Sequence, residues 1–103
     1  MPKLSKLRGA SKGQDCTVQL YPHCLWGTTE TTVLAHAPSE MKGMGTKSPD
    51  WWAADACAVC HDLVDGRRRV DDITAEEIYR AHVRGVYRTI QRRIEGGLID
   101  VAN

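Results

Sequence analysis

Phenylalanine is missing from this chain of 103 residues, and aromatic residues of every kind make up only 6% of it. Leucine, isoleucine and valine number seven, five and eight, so large apolar side chains for a core are scarce. A chain this short makes one domain, or one domain with a tail, which excludes an enzyme with a separate cofactor domain. Area scaling lets it bury about 65% of the surface that its unfolded form exposes. Long hydrophobic runs are also missing. No stretch approaches the roughly 20 apolar residues of a membrane span, and Met1–Gly13 lacks the apolar run of a secretory signal. The expected setting is therefore the cytosol, with no membrane partner. Net charge is slight as well, at +1, which argues against disorder.

A small core needs reinforcement, and four cysteines are available for it. In a reducing compartment clustered cysteines point to metal binding before disulfides. The slight net charge also hides an uneven distribution. Residues 1–13 hold four bases and no acid, residues 14–65 hold two bases and seven acids, and residues 66–103 hold eight bases and six acids. All the cysteines lie in the acidic middle. That pattern suits a cation-binding centre flanked by anion-binding arms.

Residues 1–13 read as a basic N-terminal arm, ahead of a domain over 14–103. Cys16 to Cys24 reads as a short strand or loop with a turn at Tyr21-Pro22. The segment TTETTVLAHA, from Thr28, is the best strand candidate, with β-prone Thr31 to Leu34 and Pro38 as its stop; His36 sits at its end. A Gly-, Pro- and Ser-rich stretch follows as a loop that holds at most a brief returning strand. From Asp50 to Asp65, the spacing of Trp52, Ala56, Val59 and Leu63 predicts a helix with Asp50 as N-cap and Gly66 as stop. A second helix is clearer. Thr74 and Glu77 fit a capping box, Ile73 and Ile78 the staple positions, and Gly96-Gly97 the end. Its expected apolar stripe is Tyr79, Val83, Val86, Tyr87, Ile90 and Ile94.

Cys57-x-x-Cys60, with Cys16 and Cys24 upstream, supplies four thiolates, enough to close a tetrahedral zinc site. Two other readings stand beside this one: a redox pair, which lacks its usual βαβ setting, and buried cysteines acting as small hydrophobes. His61 directly follows Cys60, and bonding the helix through zinc to the chain before the strand would bring His61 towards His36. His61 or His23 could also enter the zinc shell.

The run of AHA around His36, a Gly-rich loop, Asp50, and then Cys57-Ala-Val-Cys60-His61 resembles the HNH endonucleases of the ββα-metal superfamily. More narrowly, TTVLAH, GMGTKSPD and ACAVCHDLVDGR resemble the small phage and prophage nuclease family typified by YbcO, over about Gly9 to Gly97. That family is similar in turn to the Rap recombination nucleases and to the four-cysteine resolvase endonuclease VII. The resemblance implies an α+β fold, a zinc-stapled ββα-metal motif with an added C-terminal helix. It implies that His36 is the general base on a water that attacks phosphorus. His61 would hold a catalytic divalent ion, Mg²⁺ or Mn²⁺, and Asp50 would orient the loop and the base. Cys16, Cys24, Cys57 and Cys60 would hold structural zinc. Where many relatives have an Asp before the catalytic His, as a second metal ligand, this chain has Ala35. The ion would then rest on His61, water, the substrate phosphate and an acid such as Asp62 or Asp65.

The chemistry is reasonable without the name. Phosphodiester cleavage needs a base that titrates near neutrality, as imidazole does, and a hard cation for the developing charge. Arg80, Arg84, Arg88 and Arg92 recur every four residues, and with Arg67 and Lys47 they are candidate phosphate contacts; the alternative is a solvated face. Trp51 and Trp52 could stack on unpaired bases, or one of them could fill the core. The expectation is a metal-dependent DNA endonuclease of phage recombination or branched-DNA processing, working in the cytoplasm of a bacterial host. Its partner would be DNA, branched or single-stranded. The rivals are a zinc-stabilised nucleic-acid-binding module without catalysis and a structural phage factor that binds an acidic partner.

Overall fold

The computed structural model describes residues 6–38 and 48–101. Its elements run α1 (Lys6–Gly9), β1 (Val33–His36), β2 (Ala53–Ala56), α2 (Ala58–Val64) and α3 (Ala75–Glu95). The strands form an antiparallel pair with Val33 opposite Ala56, Leu34 opposite Asp55, Ala35 opposite Ala54, and His36 opposite Ala53. Ala37 extends the ladder by donating its amide to the Trp52 carbonyl. A two-stranded ribbon is marginal on its own, and here α3 packs across β2 to cover it.

That packing explains the alanines. All four β2 residues are buried, and the helix meets them with Ala81 and Gly85, both buried. A Cβ at Gly85 would lie 3.0 Å from Val18 Cγ2, 3.1 Å from Ala54 Cβ and 3.1 Å from Thr17 Oγ1. The helix and strand approach closely because neither carries a large side chain at the crossing. Val18 and Val86 are the largest of the fully buried side chains, with Cys57 and Cys60 among the others, and Leu20, Leu63, Cys16 and Cys24 belong to the same buried core.

Three expectations change. The Asp50–Asp65 segment is not one helix: its first half is β2, and α2 begins only after Cys57, whose Sγ accepts the Cys60 amide as N-cap. Asp50 is therefore not its N-cap. Its residues were helical in spacing and propensity, but pairing with β1 and contact with α3 outweigh local preference. The first strand starts at Val33 rather than in the threonines before it, whereas residues 16–24 take the loop alternative, with a turn at Tyr21-Pro22 as read. The buried stripe of α3 is rotated from the expected one: Ala81, His82, Gly85, Val86, Thr89 and Arg93 face inwards, while Tyr79 and Tyr87 are exposed. The helix ends are as read. Thr74 accepts the Glu77 amide and Gly96 caps the C-terminus.

Asp55 ties four segments together. Its carboxylate accepts from Ser11 Oγ at 2.6 Å, from Arg92 at 2.8 Å and from Arg93. Its amide donates to Thr89 Oγ1 at 3.0 Å, and its carbonyl accepts from the Thr17 amide and hydroxyl at 2.7 and 2.9 Å. The described end of the basic arm, the 16–20 turn, β2 and α3 thus meet on one residue. No described helix is long and apolar enough to cross a membrane.

Candidate metal centre and active site

The turn after the arm carries Cys16 and Cys24, and the start of α2 carries Cys57 and Cys60. All four are buried, and their sulfurs lie within 4.8 Å of one another. Tetrahedral zinc with Zn–S bonds of ~2.3 Å sets its sulfurs about 3.8 Å apart, and the Cys57 and Cys24 sulfurs are at 3.9 Å. Backbone amides already point at the cluster: Leu20 donates to Cys60 Sγ, and Leu25 and Cys60 donate to Cys57 Sγ, each at 3.4 Å. Such donors favour sulfur that carries negative charge. The Cys60 thiol, by its hydrogen bond, carries Cys16 down to about 5. Giving that bond, and burial after it, push Cys60 up. Burial, aided by the charges of Cys16 and Cys57, pushes Cys24 up to about 12. Four sulfurs this close cannot all ionise without a cation among them. The donor set could therefore hold a metal such as zinc.

Neither neighbouring histidine belongs to that cluster. His23 Nε2 bonds the Asp72 carboxylate at 2.9 Å, and this bond holds the Asp72 pKa below its ordinary value. His61 Nε2 lies 3.1 Å from Asp65 Oδ2, one helical turn on, and Arg67 reaches the same oxygen at 2.8 Å.

His36 is the last residue of β1, and its Nε2 lies 2.6 Å from Asp50 Oδ1. Their side chains are only 17% and 19% exposed. An ionised carboxylate accepts only, so Nε2 carries the hydrogen, and in the neutral imidazole it is Nδ1 that has the free lone pair. Arg8 of α1 donates to the same Asp50 oxygen at 3.2 Å. The arm thus reaches the histidine site through a contact 42 residues distant in sequence, for which no local pattern exists. Ala35, beside His36, is wholly buried, and its carbonyl bonds His82 Nε2 at 3.0 Å.

The arginine row braces the turn that carries Cys16. Arg84 donates to the Val18 carbonyl, Arg88 to the Thr17 carbonyl and Gln19 Oε1, and Arg92 to the Asp15 carbonyl as well as to Asp55. Arg80 pairs with Glu76 at 3.0 Å on the surface, a contact worth little. Trp52 packs against the core with its indole N–H on the Pro38 carbonyl, while Trp51 is exposed. Lys47 lies outside the described residues.

A two-stranded sheet, a following helix and a buried cysteine quartet define a small α+β protein with a candidate metal staple. The chain belongs to the family described as "Putative nuclease YbcO", which it matches over residues 5–97. It is 36% identical over 97 residues to "Putative nuclease YbcO" of Escherichia coli (strain K12), across 93% of this chain and 98% of that protein. The same figures hold for "Putative nuclease ybcO" of Enterobacteria phage 82. A solved structure titled "Structure of a putative bacteriophage protein from Escherichia coli str. K-12 substr. MG1655" is similar with a TM-score of 0.72 and 33% identity, covering 89% of this chain and 100% of that one.

Proposed function

We propose that this protein is a metal-dependent HNH-type endonuclease that hydrolyses DNA phosphodiester bonds, phage- or prophage-encoded and acting in the bacterial cytoplasm. The observation that carries the reading is the His36–Asp50 pair, an imidazole held through Nε2 at 2.6 Å. With Asp50 fixing the tautomer, Nδ1 takes the proton from a water as it attacks phosphorus. Asp50 positions the base, and Arg8 holds Asp50.

His61 on α2 and Asp65 at its C-cap offer one nitrogen and one oxygen 3.1 Å apart; the carboxylate suits Mg²⁺ or Mn²⁺, and the imidazole would join it as a second ligand. A divalent ion there would neutralise charge on the phosphate and the leaving oxygen. Cys16, Cys24, Cys57 and Cys60 hold zinc and fix the start of α2, and therefore His61. Arg67, Arg84, Arg88 and Lys47 contact the DNA backbone. The family names support nuclease chemistry, and the phage relative supports a phage or prophage origin; the role we assign to this protein is recombination or branched-DNA processing. The test is cleavage of linear, single-stranded and branched DNA with Mg²⁺ or Mn²⁺.

Ala35 favours a second reading, since it offers no ligand beside His36. On that reading the protein is a zinc-stabilised nucleic-acid-binding module. DNA binding without cleavage of any form, with either ion, would select it.

A further inference from the structure

A chain with three tryptophans and three tyrosines, and few other large apolar residues, could be expected to bury its aromatic rings. Tyr21 and Trp26 instead stand 53% and 62% exposed, edge to face with centroids 6.2 Å apart. The loop that displays them is firmly held. Leu20 and Leu25 donate their amides to the sulfurs of Cys60 and Cys57, the His23 and Cys24 amides close on the Leu20 carbonyl, and the Thr28 hydroxyl closes on the Leu25 carbonyl. The backbone that carries the rings is therefore held in place, so ordering the loop on binding costs little.

A groove of about 420 Å³ runs between this loop and α3, with Gln19 and Tyr21 along the loop side and Arg80 and Arg84 along the helix. Arg84 and Arg88 are pinned by carbonyls of the 17–18 turn. A guanidinium has five N–H donors, and Arg84 spends one on the protein among the described residues. Asp72 and Glu77 also line the groove. Carboxylates repel a phosphate but accept an N–H of a base edge, such as the N3–H of thymine or an exocyclic amine, so the groove suits bases, with the phosphates outside on the arginines.

We propose that Tyr21 and Trp26, flanked by Arg84 and Arg88, form a stacking platform for unpaired bases of DNA, at a site that shares no residue with the His36 site. Every base has a face that can stack on an aromatic ring, whereas a duplex keeps those faces occupied. The inference rests on the DNA reading above and adds to it the preferred DNA form, one with a single-stranded segment.

The test uses zinc-loaded His36→Ala protein without added Mg²⁺ or Mn²⁺, and measures binding of a labelled oligo-dT, a matched duplex and an oligo-rU. The oligo-dT is expected to bind more tightly than either of the others. Tyr21→Ala with Trp26→Ala should weaken oligo-dT binding roughly 10-fold or more per ring and leave zinc content and duplex affinity unchanged, while Tyr21→Phe retains binding. If the double variant loses zinc, Trp26→Leu alone is judged by the same criterion. Equal affinity for duplex, tighter binding of oligo-rU, or oligo-dT binding indifferent to the ring losses overturns the proposal. A native protein that shows the platform but cuts no DNA refutes the nuclease reading alone; one that cuts duplex without preferring oligo-dT refutes the platform alone.

Discussion

Asp55 and Arg93 meet as an ion pair 38 residues apart in sequence, with 0% and 3% of each residue exposed. Removing one partner of such a pair leaves a charge buried without compensation, at about 3–5 kcal/mol. Asp55→Ala should therefore lose about that much stability in urea unfolding with zinc held constant. Arg92, whose side chain is 32% exposed, should lose about 1 kcal/mol on substitution by alanine. A loss at Asp55 no larger than that at Arg92 contradicts the assignment of Asp55 as the tie between arm, strand and helix.

The cysteine quartet should hold about one zinc per chain, measured by elemental analysis, and chelation should unfold the protein because metal binding is coupled to folding. Acid should weaken the site. Zinc must displace the protons that Cys24, pushed up to about 12, and Cys60, also pushed up, otherwise keep near neutral pH. Each unit of pH lost near pH 7 should then lower apparent affinity by about two decades or more. A pH-independent affinity, or a Cys57–Cys60 disulfide in fresh protein, contradicts the thiolate site.

Gly85 lies in the interior of α3, where alanine usually stabilises by about 0.5–1 kcal/mol. Here the new methyl would meet Val18, Ala54 and Thr17 at 3.0–3.1 Å, and none can easily give way. Val18 is wholly buried, and Thr17 is bonded to Asp55 and Thr89. Gly85→Ala should thus destabilise by about 1–3 kcal/mol, the cost of overpacking. A gain in stability would show that the helix–strand crossing is looser than described.

The parts of this fold legible in the sequence are those with local causes. Thr74, Glu77 and Gly96-Gly97 mark both ends of α3, because capping is decided within a few residues. The cysteine quartet is legible because Cys57-x-x-Cys60 is a local spacing that suits one ion, and Cys16 and Cys24 complete four soft ligands. The strand β2 is not: AADA has helical propensity, and it becomes strand only by pairing with Val33–His36 under α3. The phase of α3 was hidden for the same reason. Its inward face is small or polar, with Gly85, Thr89 and Arg93, and the apolar Tyr79 and Tyr87 lie outside. Asp55 looks like any other acid in the sequence, and its burial is accounted for by distant partners, Ser11, Arg92 and Arg93. His36 and Asp50 each stand out in the sequence, but their bond, like that of Arg8 to Asp50, depends on how the chain closes.

Cleavage by His36→Ala, compared with the parent on the same DNA at saturating Mg²⁺ or Mn²⁺, tests the central claim most directly. If His36 is the general base, the variant should keep zinc, fold and DNA affinity while cleavage falls roughly 100-fold or more, and added metal should not restore it. His61→Ala is the control, since a weakened ion site should recover in part as metal is raised. A His36→Ala protein that cuts DNA at the parent rate would contradict the account.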